Sequence, residues 1–172
     1  MHSQDNNTRR MGKIMSAIAW IIFLVMMTVY FSDFLQNQEN PNRNVNSRVD
    51  DNGRAEVILQ RNRAGHYLTP GLINGEPVIF LLDTGATGIA LSEKLAAQLD
   101  LSRGRGVMTE TANGRVMSYL TRLDRVSVGD IVQYDVRATI APGLATQEVL
   151  LGMSFLRHLD IIQKGDTLTL RE

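Results

Sequence analysis

Cysteine is absent from all 172 residues. That excludes a disulfide framework, a thiol nucleophile and a thiolate metal site. It is compatible with a cell envelope without demonstrating one. Histidine is scarce: His2, His66 and His158 are scattered, with no His-x-x-x-His or His/Cys cluster among them. No catalytic metal or other cofactor is therefore expected, and His158 reads as a packing or surface residue rather than a base. Neither sign of charge is in excess, since 18 basic residues balance 18 acidic ones. A nucleic-acid partner would want a clustered basic face, so none is expected. No internal repeat is visible. The length allows one modest domain and an appendage.

The appendage is at the front. Residues 1–13 are polar, with Arg9, Arg10 and Lys13 close together. Residues 14–31, Ile14 to Phe31, carry no charge at all. At 1.5 Å per residue such a run is just long enough for a bilayer core of about 30 Å. Trp20 lies inside it, and Tyr30 and Phe31 mark the far end, where an aromatic belt falls. A buried core helix fits poorly, because the run has no polar face. A cleavable signal peptide is the rival, but no small-x-small site follows. Basic residues before the run, with Asp33 and Glu39 after it, orient the N-terminus to the cytoplasm and the remainder outside. Residues 32–53 are rich in Asn, Gln, Asp, Arg and Ser. Such a stretch buries too little to offset its ordering entropy and reads as a flexible tether, open to proteases.

Residues 54–172 read as a mainly β domain with two short helices. Ala55–Gln60 is a first strand and His66–Ile73 a second. Asn74-Gly75 is a two-residue hairpin turn into the next strand. Ile89-Ala90-Leu91 is a short strand. Ser92 caps a helix that places Leu91, Leu95 and Leu99 on one face. Val107–Thr111 and Val116–Leu120 flank Ala112-Asn113-Gly114-Arg115, and Asn113-Gly114 signals a hairpin. Tyr119 lies beyond its tip. Residues 131–140 hold two strand-like stretches, Ala141-Pro142-Gly143 breaks the pattern, and Met153–Leu159 is a short helix. A terminal hairpin turns around Lys164-Gly165-Asp166.

The chemistry concentrates at Val78-Ile79-Phe80-Leu81-Leu82-Asp83-Thr84-Gly85-Ala86-Thr87. A buried strand ends in a carboxylate, a hydroxyl and a glycine. An ionised carboxylate where a strand leaves the core is costly unless hydrogen-bonded or paired. Thr84 offers a hydroxyl, and Gly85 allows close backbone approach. That combination suits a carboxyl used in acid–base work. Alone, the triplet is common, and a strand-ending turn explains it. A second apolar strand, Val149-Leu150-Leu151, ends in Gly152-Met153-Ser154-Phe155-Leu156 and shifts the balance.

Taken together, in this order, the two segments resemble the retropepsin-like (clan AA) aspartic proteases, and most of all their bacterial membrane-anchored branch. The resemblance runs from about Gly65 to Glu172. It implies a closed β-barrel-like domain with a flap hairpin, here behind a transmembrane helix. It implies an endopeptidase, periplasmic and anchored in a bacterial inner membrane, in which Asp83 is catalytic. Thr84, Gly85, Ala86, Leu151 and Gly152 would support the site, and Ala112, Asn113 and Gly114 would form the flap over a peptide or protein substrate. Aspartic proteolysis needs two carboxyl groups about 3 Å apart sharing one proton. Gly165-Asp166-Thr167 has the wrong order to supply the second. The second Asp83 must come from another copy, which implies a C₂ homodimer.

The chain departs from viral members in carrying Thr87-Gly88 where many have an acidic residue, and Met153-Ser154 where they usually place Arg. The ion pair that supports their dimer is not assured here. Two rivals stand beside this reading. One is a catalytically silent, membrane-tethered peptide-binding module of the same fold. The other is a plain envelope barrel with a chance triplet, in which Asp83 would be exposed and unpaired.

Overall fold

A computed structural model of the chain describes residues 4–50, 52–111, 114–144 and 146–172. They fall into two units, Met1–Gln38 and Glu39–Glu172, each described here by itself. The first is occupied by helix α1, Gln4–Glu39. Its stretch Met11–Glu39 is long and apolar enough to cross a membrane. The helix outruns the apolar run of 14–31 at both ends. Residues 32–39 contain no glycine or proline to stop it. Pro41 does, because the residue before a proline is driven out of the helical region.

The second unit is built from strands β1 (Asn46–Val49), β2 (Ala55–Gln60), β3 (Leu68–Ile73), β4 (Glu76–Leu82), β5 (Ile89–Ser92), β6 (Gly106–Thr111), β7 (Gly114–Val128), β8 (Ile131–Ala141), β9 (Val149–Leu151), β10 (Asp160–Lys164) and β11 (Thr167–Arg171). Two short helices interrupt them, α2 (Glu93–Gln98) and α3 (Met153–Leu156). The seven-stranded sheet runs β3-β4-β9-β5-β8-β7-β6. Leu72 and Ile73 of β3 also pair with Ser127 and Val126 of β7, which rolls the sheet shut into a barrel and leaves β6 outside the ring. Phe80, Ile89, Leu91, Leu123, Val126, Ile140, Leu151 and Phe155 fill the interior, each fully buried.

The barrel wall has one inner face, so its strands alternate. Along β4, Val78 and Phe80 point inward while Ile79 is 38% exposed. The continuous apolar run is therefore only half committed to the core. Asn74 and Gly75 both take positive φ, 53° and 92°, as the predicted two-residue turn requires. The Ser92 hydroxyl accepts the Leu95 N–H at the start of α2, as its sequence signalled. Residues 131–140 form one continuous strand rather than two, antiparallel to β7 throughout.

The stretch 32–53, expected to be a flexible tether, is largely structured. Residues 32–39 prolong α1, and β1 pairs antiparallel with β2, Asn46 opposite Ile58 and Val49 opposite Ala55. Asn42 is buried, 4% exposed. Hydropathy does not register such a segment, because it gains its order from hydrogen bonds rather than apolar burial. The Ser47 hydroxyl donates to Asp130 Oδ2 (2.7 Å) and accepts the Asp130 N–H (2.9 Å). β1 is thereby the edge of a four-stranded sheet, β1-β2-β11-β10.

An ion network crosses that sheet. Glu56 is buried, with a 1% exposed side chain between Arg48 and Arg171. Hydrogen bonds from Arg48 and then Arg171 hold its carboxyl below the usual range, against the opposing effect of burial. Asp50 is lowered to about 2, first by the Arg54 backbone N–H, against burial, and further by the Arg54 guanidinium and the Asn52 N–H. Both groups are more acidic folded than unfolded. Their stabilisation is complete above the ordinary carboxylate values and is lost as pH falls through the folded ones. The thermal midpoint should therefore hold between pH 7 and about 5 and decline from about 5 toward 2. Glu56→Gln should lower the midpoint at neutral pH and flatten the acid decline, as read by circular dichroism melts across pH. A wild-type acid profile in that variant would count against the network.

Candidate active site

The two motif segments meet because of a strand register. β4 and β9 are parallel neighbours, Phe80 beside Val149, Leu81 beside Leu150 and Leu82 beside Leu151. One residue further along each strand come Asp83 and Gly152. The Asp83 N–H donates to the Leu151 carbonyl (3.2 Å) and closes the pair. On its other side, β4 is held by β3: the Leu82 N–H donates to the Tyr67 carbonyl (3.0 Å). Asp83 thus leaves a strand clamped from both edges.

Beyond Leu82 the backbone turns back on itself. Asp83 Oδ1 accepts the Gly85 N–H (2.9 Å), and the Asp83 carbonyl accepts the Ala86 N–H (3.2 Å). Asp83 is half-buried, while Thr84, Gly85 and Thr87 are exposed. A chance triplet on a plain barrel would leave Asp83 exposed and unpaired; here one carboxyl oxygen is held by its own loop. The other is left for solvent or a ligand, and no cation pairs with the group among the described residues. The Thr84 hydroxyl likewise makes no hydrogen bond among the described residues. A Cβ on Gly85 would lie 3.2 Å from Asp83 Oδ1, a tight approach that would press on the carboxyl oxygen the Gly85 N–H holds.

Gly152 is different. A Cβ there would lie 2.3 Å from the Gly88 carbonyl oxygen, 2.6 Å from that of Ala86 and 2.9 Å from the Ala86 Cβ. Two backbones touch with nothing between them, a distance no side chain allows. The next residue seals the contact, its N–H donating from Met153 to the Ala86 carbonyl (2.9 Å). Leu151 is fully buried beneath it. Two supporting residues escaped the sequence reading. The Ser154 hydroxyl accepts the Ile89 N–H (3.0 Å) where the loop re-enters the barrel, and Gly88 lies against it. A serine two residues after a glycine carries no distinctive signal, so only the fold reveals its partner.

The expected hairpin is β6–β7, paired from Gly106 opposite Tyr119 to Thr111 opposite Gly114. Gly114 has φ 105° and opens the returning strand. Ala112 and Asn113 lie outside the described residues. Met108 and Met117 face each other across the hairpin and are both exposed. Tyr119 packs against the core with the Arg103 guanidinium 5.4 Å above its ring. Among the described residues no three His, Asp or Glu side chains gather as a metal site would need.

Gly152→Ala should destabilise the unit by ~1–3 kcal/mol, since neither carbonyl can move without breaking the loop. Gly143→Ala, whose Cβ would meet only Val116 at 3.8 Å, should be near neutral. Chemical denaturation of the two variants side by side checks this.

Residues 69–158 match the family described as "gag-polyprotein putative aspartyl protease". An uncharacterised protein in the cobV 5' region of a Sinorhizobium species is 36% identical over 128 residues, covering 72% of this chain and 55% of that protein. An uncharacterised protein of Rickettsia prowazekii is 32% identical over 107 residues, covering 60% of this chain and 45% of that one. The chain therefore spans about half the length of the curated relatives it matches. Among solved structures, a retropepsin-like aspartic protease from Rickettsia conorii superposes with a TM-score of 0.56 at 24% identity, covering 74% of this chain and 94% of that one. The family match spans both the strand that ends in Asp83 and the strand that ends in Gly152, and the chain belongs to the gag-polyprotein aspartyl protease family with a retropepsin-like fold.

Proposed function

We propose that the chain is an aspartic endopeptidase, active as a homodimer with one Asp83 from each copy. The observation that carries this is the Asp83 loop: a half-buried carboxylate at the end of a clamped strand, one oxygen held by Gly85 and the other without a partner among the described residues. A single carboxylate cannot both activate water and protonate a leaving nitrogen. Two, close together and sharing a proton, can. One Asp83 takes a proton from the bound water. Its mate donates to the tetrahedral intermediate and then to the leaving amine, so no acyl-enzyme forms.

The exposed Thr84 hydroxyl, without a hydrogen-bond partner among the described residues, is suited to bonding across the two-fold axis. Gly85, with no side chain, makes room for that approach. Ala86, Leu151 and Gly152 brace the loop from behind. The β6–β7 hairpin, with Ala112, Asn113 and Gly114 at its tip, serves as the flap over a substrate lying extended along the site. Residues 14–31, within the apolar helix Met11–Glu39, anchor the chain in a bacterial inner membrane, with residues 1–13 cytoplasmic and the protease unit, from about 54 to 172, in the periplasm. Met153-Ser154 stand where viral relatives usually place Arg, and neither side chain is cationic, so that ion pair is not supplied from here and the dimer is weak in isolation. A shared membrane plane would raise the effective concentration of the copies.

Asp83→Asn should lower peptide cleavage about a thousandfold or more, with the melting profile retained. Mixing the variant into wild type should depress activity more than dilution alone, since mixed pairs lack the second acid. Specific activity of the unit without α1 should fall on dilution. No cleavage by either form on an unbiased peptide library would favour the silent peptide-binding module instead.

Full-length protein should sediment with membranes, resist carbonate and be released by detergent. Recovery in the soluble fraction without detergent would remove the anchor.

A further inference from the structure

We infer that Asn42 is a positioning residue for the Asp83 loop, joining the segment that follows the apolar helix to the strands that present the carboxylate. The inference rests on the aspartic-protease reading in its kinetic part only. Asn42 comes just after Pro41, is 4% exposed, and spends its whole carboxamide on two backbone segments. Its Oδ1 accepts the Gln60 N–H (2.7 Å), and its Nδ2 donates to the Gln60 carbonyl (2.9 Å) and to the Leu68 carbonyl (2.7 Å). The pairing with Gln60 imitates a strand neighbour at the end of β2. The bond to Leu68 does the same at the start of β3.

That second bond matters because of where β3 is bare. Its outer edge is covered by β7 only at Leu72 and Ile73. At Leu68, four residues back from Leu72, no strand among the described residues flanks it on that side, and the Asn42 amide fills the place. Leu68 stands opposite Leu81, and the adjacent Tyr67 carbonyl holds the Leu82 N–H (3.0 Å), one residue before Asp83. Leu81 and Leu82 are only partly buried, so this end of β4 depends on its ladder bonds more than on packing. A second stitch supports the first. Asn62 Nδ2 donates to the Glu39 carbonyl (2.9 Å) while its Oδ1 accepts the His66 N–H (2.8 Å), tying residue 39 to the turn before Tyr67.

Without the Asn42 side chain, the Leu68 carbonyl and the Gln60 N–H lose their partners, and the start of β3 is free to shift. Displacements of about 1 Å in a supporting element are enough to slow a reaction that depends on two carboxyls in register.

The test uses the full-length chain in detergent, with Asn42→Ala and Asn42→Asp beside wild type. Three quantities are read: kcat and KM on a cleaved peptide, amide exchange at Leu82, and exchange at Ile140 in the barrel core as a control. Asn42→Ala should lower kcat about tenfold with KM within about twofold. Leu82 exchange should quicken about tenfold while Ile140 is unchanged. Asn42→Asp keeps the shape but sets a carboxylate against two carbonyl oxygens. On acidification it regains a donor, so its activity relative to wild type should rise, whereas the Asn42→Ala ratio stays flat. That pH signature also decides the matter if Asn42→Ala does not fold. Leu82 exchange within about twofold of wild type in both variants, or a rise shared by Ile140, would overturn the inference. If wild type itself cleaves no peptide, the protease reading fails separately, and Leu82 exchange alone decides whether Asn42 holds the loop.

Discussion

The site is built on one close approach, that of the Gly152 backbone to the carbonyls of Ala86 and Gly88. No side chain can occupy that space, and none is needed, because the Met153 N–H reaches straight to the Ala86 carbonyl. The loop bearing Asp83 is consequently pinned from behind at Ala86 by backbone, with the Ser154 hydroxyl steadying its exit at Ile89. Backbone contacts do not hop between rotamers, so the carboxylate is held by the stiffest material a protein has. Everything else in the unit serves to bring these two turns to the same place.

The barrel does this by register. β4 and β9 run parallel, and parallel neighbours bring matching ends together, so a motif ending one strand meets a motif ending the other. β3 holds the far edge of β4 and also closes the ring by pairing with β7. A shift in β3 would be felt both in the closure of the barrel and at Leu82. The four-stranded sheet of β1, β2, β11 and β10 is organised differently, around the buried Glu56 and its two arginines. There, satisfied charge adds to the apolar burial of Val57, Leu59, Leu168 and Leu170.

These two principles explain which elements were legible. The Asn74-Gly75 turn, the Ser92 cap, β2 and the terminal hairpin all rest on local chemistry, a φ preference or an apolar period, and each appears where the residues called for it. The segment 40–50 was not legible, since its partners, Gln60, Leu68, Glu56 and Asp130, lie 8 to 83 positions away in the chain. Its asparagines and arginines look like those of a solvated linker until the strands that accept them are in place. Ile79 was misjudged for a related reason. A run of five apolar residues suggests burial on both faces, but a barrel strand has one interior face only.

From its sequence alone the chain declares an apolar helix, a β-rich unit and a carboxylate at a strand end, because hydropathy, turn preference and composition are properties of neighbouring residues. Tertiary structure decided what surrounds that carboxylate. The parallel register that seats Gly152 against Ala86, the serine that steadies Ile89 and the buried amide of Asn42 all join residues distant in the chain. Their pairing is chosen by which backbone groups would otherwise be left without a hydrogen bond, and that choice exists only once the barrel has closed.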